Sequence, residues 1–167
     1  MIYIIDAYNV IHKIKKLEVT LNQNLRRARD ALVELCGRLV CARGGISKII
    51  LVFDGKSEFR DLQNASPPKI ELVFSETGES ADERIILVLE QLEKQRNKCV
   101  VSDDNFVRNH ARAYAASVMS VSQFTPLIYP SNQKQPNKRS PHDSARGLSP
   151  EEARDITEAY KKHLGLS

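Results

Sequence analysis

The sequence has no tryptophan, few cysteines and no long apolar run. Its three cysteines, Cys36, Cys41 and Cys99, form no CxxC pair and lie within apolar patterns. We therefore expect buried, reduced thiols rather than disulfides or a zinc site. No apolar stretch approaches the roughly 18 residues of a membrane helix, and the first residues carry no export signal. We expect a protein that stays out of the membrane and resides in the cytoplasm.

Several catalytic motifs are missing as well. The chain contains no P-loop, no GxGxxG and no HExxH sequence. Gly44 and Gly45 lack the Lys-Ser/Thr ending of a P-loop, and Tyr8 stands where a phosphatase of the haloacid-dehalogenase type has its second Asp. The histidines are scattered, and no sequence supports a Ser-His-Asp triad. The chemistry of this chain must therefore rest on other side chains.

The charges are unevenly distributed along the chain. At 167 residues, with 41% hydrophobic and 28% charged residues, the composition is that of one globular domain, and the net charge is only +4. Residues 12–48, however, hold nine Lys or Arg against three acids, whereas residues 54–96 lean acidic. A basic region beside an acidic one suits a polyanion that is brought to metal ions. A solvated helix face explains the basic residues equally well, and both interpretations stay open.

Acidic residues stand where apolar runs end. The runs at residues 2–5, 49–53 and 99–101 lead to Asp6, Asp54 and the pair Asp103 and Asp104. Continuous runs rich in Ile and Val indicate strands buried on both faces, as in a parallel α/β sheet. The ligand crevice of such a sheet lies outside the carboxyl ends of its strands. We therefore expect these carboxylates, and Asp82 at the opening of a helical pattern, to share one cleft.

A cleft of this kind indicates a metal site. Gathered carboxylates repel one another unless a cation lies between them, and carboxylate with water suits Mg²⁺ or Mn²⁺. An Asp after a strand also caps helices and fixes turns, which is the more ordinary explanation for any one of these acids taken singly. Several such acids in one small chain favour the metal site.

Strand patterns alternate with helical patterns along the chain. We predict strands at 2–5, 47–53, 70–74, 98–101 and 117–121, and helices at 22–43 (capped by Asn22), 80–95 and 105–115. Residues 56–68 have little periodicity and are predicted to be a loop. This alternation predicts an α/β fold, a three-layer α/β/α sandwich with a mainly parallel central sheet.

The composition changes near residue 129. Residues 130–147 are rich in Pro, Asn and Gln, which predicts a flexible linker. Residues 149–164 then predict a C-terminal helix, since Ser149 and Glu152 fit a capping box. Its apolar stripe needs a partner, either the domain or a neighbouring copy. The predicted organisation is a domain at 1–128 and an extension at 129–167.

Four motifs, in order, carry a resemblance to a known family. They are IIDAYNVI at 4–11, VFDG at 52–55, GESAD at 78–82 and VSD at 101–103. Together they resemble the NYN branch of the PIN-like nucleases, specifically the YacP-like group, over about residues 1–125. Ala7 departs from the pattern, which usually has Gly there, and the extension after residue 129 falls outside the resemblance.

The resemblance implies a metal-dependent endoribonuclease that uses Mg²⁺ or Mn²⁺, acts in RNA processing or mRNA decay, and has a PIN-like fold. The implied catalytic residues are Asp6, Asn9, Asp54, Asp82 and Asp103, and the metal ligands are Asp6, Asp82 and Asp103, with Asp104 in an outer role. Lys56, Arg60, Arg26 and Arg27 are candidate RNA-binding residues. The alternative is a catalytically weak RNA-binding or ribosome-associated adaptor on the same fold. Because all four motif acids are present, the nuclease is favoured.

Overall fold

The computed structural model describes residues 1–55 and 67–130. Their core is a five-stranded parallel sheet in the order β3-β2-β1-β4-β5. The strands are β1 (Ile2–Asp6), β2 (Lys48–Phe53), β3 (Ile70–Phe74), β4 (Lys98–Val101) and β5 (Ser117–Met119). The helices in these two ranges are α1 (Ala7–Lys13), α2 (Lys15–Gln23), α3 (Leu25–Ala42), α4 (Ala81–Gln91), α5 (Asn105–Ala113) and α6 (Val121–Ile128).

Both faces of the sheet are covered, as the continuous apolar runs predicted. Alternate residues of β1 point to opposite faces, so Ile5 packs in a core with α1, α2, α3 and α6, and Ile4 packs in a second core with α4 and α5. The predicted three-layer α/β/α architecture with a parallel sheet is confirmed. The chain moves outward from β1 through β2 to β3 and then continues on the other side of β1, which places a topological switch point between β1 and β4.

The N-terminal helices differ from the prediction. Asn24, rather than Asn22, caps the long helix α3, where its Oδ1 accepts a hydrogen bond from the backbone N–H of Arg27 at 3.0 Å. Two short helices, α1 and α2, precede it, and the sequence analysis missed both. They meet at Ile14, whose extended backbone conformation separates them without a Gly or Pro.

Helix α6 was also missed, because the last strand pattern was extended to Val121. The strand ends at Met119, and Ser120 begins α6 with a capping box in which Gln123 is the partner. A Ser followed three residues later by Gln is a recognisable helix start. A further correction concerns Cys41, which is exposed, whereas Cys36 and Cys99 are buried as expected and all three are free.

The predicted linker and C-terminal helix, and most of the predicted 56–68 loop, lie outside the described residues. The domain boundary at residue 128 therefore stays a prediction. Among the helices in the described ranges, none is long and apolar enough to cross a membrane.

Candidate active site

An open cavity of about 1030 Å³ lies at the carboxyl ends of the strands. Four carboxylates line it, and they come from four different places in the fold: Asp6 at the end of β1, Asp54 after β2, Asp82 in the first turn of α4 and Asp104 before α5. The switch-point crevice of the sheet is therefore acidic, as the strand-end pattern predicted.

Asp6 is the most buried of these acids, with 6% of its surface exposed. It caps α1, accepting the backbone N–H of Asn9 on Oδ1 at 3.2 Å. Its other oxygen, Oδ2, accepts a hydrogen bond from the Ser102 hydroxyl at 3.0 Å. Burial raises the pKa of Asp6, the two hydrogen bonds oppose that rise, and the nearby charges of Asp82 and Asp104 add to it. The ionised form of Asp6 is therefore less favourable here than that of an exposed carboxylate.

Asp54 is held in a similar way by a serine of the next strand. The Ser75 hydroxyl donates to Asp54 Oδ1 at 2.9 Å and accepts the backbone N–H of Gly55 at 3.0 Å. Gly55 has a φ of 110°, a conformation that favours glycine at this turn. Unlike Asp6, Asp54 is exposed.

The register of the sheet explains both serine–aspartate pairs. Ile5 pairs with Val101, so Asp6 lies beside Ser102 one step further on, and Phe53 pairs with Phe74, so Asp54 lies beside Ser75. The edge of the sheet consequently presents two central acids flanked by two buried hydroxyl donors. Neither serine could be identified as a partner of these acids from the sequence, because each pair depends on the register between two strands.

Asp82 is the acid that the helix layer contributes to the cavity. Together with Asp6, Asp54 and Asp104 it forms what we call the acidic floor. The preceding Ser80 caps α4 in a capping box with Glu83, which fixes the first turn against the cavity. Burial raises the pKa of Asp82, and the charges of Asp104, Asp54 and Glu83 raise it further. The charges of neighbouring lining carboxylates therefore oppose the ionisation of both Asp6 and Asp82.

Asp103 and Asp104 have different positions from those expected. The carboxylate of Asp103 accepts the backbone N–H of Val121 at 3.0 Å, which ties it to the start of α6, and it does not line the cavity. Asp104 does line the cavity, caps α5 through Phe106 and Val107, and donates its backbone N–H to Ser102 at 3.0 Å. The structure therefore brings Asp104, rather than Asp103, to the other three acids.

Asn9 links these elements. Its side-chain Oδ1 accepts the backbone N–H of Asp103 at 3.2 Å, while its own backbone N–H binds Asp6. Asn9 lines the cavity together with the four acids.

A second part of the cavity lining, which we call the cationic wall, is aromatic, apolar and basic. It is formed by Tyr8, His12, Lys13, Leu21, Leu25 and Arg29. Arg29 is buried, donates from Nε to the Tyr8 hydroxyl at 2.8 Å, and lies 5.3 to 6.0 Å from the ring centroids of Tyr8, Phe53 and Phe74. This guanidinium is held rigidly beside the acidic floor.

The candidate RNA-binding arginines lie elsewhere. Arg26 and Arg27 are exposed on α3 and do not line the cavity, whereas Arg29, three or two residues further along, does. Lys56 and Arg60 lie outside the described residues. Arg29 was predicted only as one basic residue of this region, although its position four residues after Leu25 and three before Leu32 places it on the apolar stripe of α3.

With this geometry established, the sequence can be compared with known proteins. The family model of the YacP-like NYN domain matches residues 3–163. The chain belongs to this family. The match extends beyond residue 125, so the C-terminal extension is part of the NYN_YacP pattern, contrary to the expectation from the motifs.

Solved structures support the same fold for this YacP-like NYN domain. It is similar to the crystal structure of Rae1 (YacP) from Bacillus subtilis, with a TM-score of 0.65 and 20% identity over 99% of this chain and 82% of that one. A mutant of Rae1 gives a TM-score of 0.64 and 23% identity over 77% of this chain and 75% of that one. At this identity the likeness shows the fold, which is PIN-like. No curated protein matches the chain.

The donor set of this NYN domain suits a hard divalent cation. Among the described residues, the cavity lining supplies four carboxylates and the neutral oxygens of Asn9 and Ser80, and the repulsion between the carboxylates would be relieved by a cation among them. In residues 1–55 and 67–130, no three His, Cys, Asp or Glu side chains lie close enough to form a ligand cage. Magnesium is commonly held by one or two carboxylates, several waters and substrate phosphates. The residues present fit that mode of binding rather than an all-protein cage.

Proposed function

We propose that this protein is a metal-dependent endoribonuclease that hydrolyses phosphodiester bonds of RNA in the acidic cavity. The observation that carries the proposal is the gathering of Asp6, Asp54, Asp82 and Asp104 in one cavity at the switch point of the sheet. Membership of the YacP-like NYN family supports a nuclease. We further propose RNA processing or mRNA decay in the cytoplasm as its setting.

The residues that would hold Mg²⁺ or Mn²⁺ are Asp6, Asp82 and Asp104, with Asp54 at the rim. When bound, such an ion lowers the pKa of a coordinated water and neutralises charge on the scissile phosphate. Ser102 holds Asp6 and the backbone of Asp104 together through one hydroxyl, so it sets the spacing between two of these carboxylates. Ser75 orients Asp54 alone, because its other hydrogen bond is with the backbone N–H of Gly55.

Asn9 and Asp103 have supporting roles in this proposal. Because Asn9 Oδ1 is engaged by Asp103 N–H, the Nδ2 group of Asn9 is the part of its amide that can donate to a phosphate oxygen. Asp103 would support the site indirectly, because its carboxylate joins the end of β4 to the start of α6.

The cationic wall would hold the RNA backbone. Lys13 and Arg29 line the same cavity as the four acids, so a phosphate bound in it would also meet positive charge. Arg29 is fixed by Tyr8 and by its aromatic surroundings, which limits the entropy lost when a phosphate binds near it.

A second candidate function is a catalytically weak RNA-binding or ribosome-associated adaptor. One observation favours it: in the part of the chain that the structure describes, no three carboxylates lie close enough together to ligate one metal ion. Such a protein would bind RNA through the cationic wall without cutting it.

The test is cleavage of labelled single-stranded RNA and DNA by the purified full-length protein with Mn²⁺ or with EDTA. Asp6→Asn keeps the helix cap but removes the charge, and we expect at least a hundredfold loss of cleavage, about 2.7 kcal/mol of transition-state stabilisation. The matched control is Asp30→Asn, an exposed acid on α3 away from the cavity lining. RNA that is bound but survives with Mn²⁺ would instead identify the adaptor.

A further inference from the structure

An aromatic pair is exposed on the first two turns of α5. Phe106 is 50% exposed, an unusual state for a large apolar side chain in this domain. Its ring lies 4.2 Å from the His110 ring, centroid to centroid, at an interplanar angle of 49°. The His110 Nδ1 lies 2.9 Å from the Phe106 carbonyl oxygen, which orients the imidazole beside the phenyl ring.

This pair is anchored next to the acidic cavity. The backbone N–H of Phe106 donates at 2.7 Å to Asp104, which lines the cavity. The two residues are two positions apart, so their Cα atoms lie within about 7.6 Å of each other. Phe106 is therefore close to the acidic floor without being part of it.

The charge of the helix complements nucleic acid. Arg108, His110 and Arg112 lie on α5, and the helix contains no acid. Arg112 is exposed. Bases of single-stranded nucleic acid stack on exposed aromatic rings, and Arg108 and Arg112, which lie about 160° and 120° round the helix axis from Phe106, would meet flanking phosphates rather than the stacked base.

We propose that Phe106 and His110 form a stacking platform for one nucleobase of single-stranded RNA whose neighbouring phosphate lies in the acidic cavity. The inference rests on the proposed function and adds to it a requirement for an unpaired base. A base in a duplex keeps its faces stacked on its neighbours, so a platform of this kind selects single-stranded segments. Stacking is tolerant of base identity, so the platform selects unpaired structure more than sequence.

Binding is measured with a short single-stranded oligoribonucleotide that carries 2-aminopurine at successive positions, in an Asp6→Asn background that holds cleavage off. We expect one position to be quenched by stacking. Phe106→Ala should abolish that quenching and weaken binding about tenfold, which is about 1.4 kcal/mol. Phe106→Trp should restore both, and Phe106→Leu should restore neither, since it keeps apolar bulk without a π face.

The control is Val19→Ala, because Val19 is similarly exposed, at 51%, but lies on α2 and not in the cavity lining. It should leave the dissociation constant unchanged, and all variants should keep the wild-type circular dichroism spectrum. Unchanged affinity and quenching in Phe106→Ala would overturn the platform, even where the unmodified protein cuts RNA. Failure of the unmodified protein both to bind and to cut RNA would overturn the proposed function, and the platform with it.

Discussion

Replacing Ser102 with alanine tests how the acidic cavity is held together. Ser102 is fully buried and its hydroxyl makes two hydrogen bonds, one to the Asp6 carboxylate and one from the Asp104 backbone N–H, both at 3.0 Å. A hydrogen bond to a charged group contributes about 1.5–3 kcal/mol, and a buried N–H left without a partner costs about 1–3 kcal/mol. Because water from the open cavity can replace one partner, we expect a total loss of about 2–4 kcal/mol of unfolding free energy.

The loss should depend on pH. The Ser102 hydrogen bond lowers the pKa of Asp6, which burial raises above its usual range. When the folded state raises the pKa of a carboxyl, the free energy of unfolding falls as pH increases from the unfolded pKa through the folded pKa. Ser102→Ala raises the folded pKa of Asp6 further, so this fall becomes larger. The destabilisation should therefore be larger at neutral pH than at an acidic pH below the folded pKa of Asp6 in both proteins.

The measurement is urea unfolding of the metal-free protein at these two pH values. Ser75→Ala is the comparison, because Ser75 makes the same two kinds of bond to Asp54 and Gly55. Asp54 is exposed, so its solvent replaces the lost bond and we expect only about 1 kcal/mol. A Ser102→Ala loss below about 0.5 kcal/mol, or one equal at both pH values, would refute the reasoning.

Two further predictions concern the walls of the cavity. Asp82→Asn should stabilise the metal-free protein at neutral pH, because the pKa of Asp82 is raised by burial and by its neighbours, so that its ionisation opposes folding. Mn²⁺ is expected to stabilise the unmodified protein by about 2.7 kcal/mol at one hundred times its dissociation constant. In thermal unfolding, Mn²⁺ should raise the melting temperature of this variant less than that of the unmodified protein. Equal increases in melting temperature would place the ion elsewhere. Arg29→Lys should weaken single-stranded RNA binding and lower stability by about 1–3 kcal/mol, since an ammonium cannot reproduce the planar guanidinium against Tyr8 and the rings. Filter binding and urea unfolding measure these two losses, and an unchanged affinity would remove Arg29 from the RNA-binding wall.

The three central strands could be predicted because β1, β2 and β4 each contain a continuous apolar run that leads to a polar residue. The parallel sheet then placed Asp6, Asp54 and Asp82 in one cleft. Sequence could not decide between Asp103 and Asp104, since adjacent residues differ only in which way the backbone turns them, and that turn depends on Ser102 and on the start of α6.

Other residues were hidden for different physical reasons. Arg29 lies on the apolar stripe of α3, which is a signal of burial, but only the packing of α3 over Tyr8 and Phe53 reveals what its guanidinium contacts. Ser75 follows a strand like many surface serines, and its role depends on the register between β2 and β3. Such roles arise from pairing between distant segments, which local pattern does not contain.

The bond between Ser102 and Asp6 joins residues 96 positions apart in the chain. Contacts at such a separation are the most costly to close during folding. Strands β1, β2 and β3 can pair as soon as they exist, but the carboxylates remain without Ser102 and Asp104 until β4 inserts beside β1. A chain still being synthesised therefore holds an incomplete cavity until β4 and the start of α5 have left the ribosome. The order of synthesis itself thus keeps the acidic cavity unformed until the sheet is almost complete.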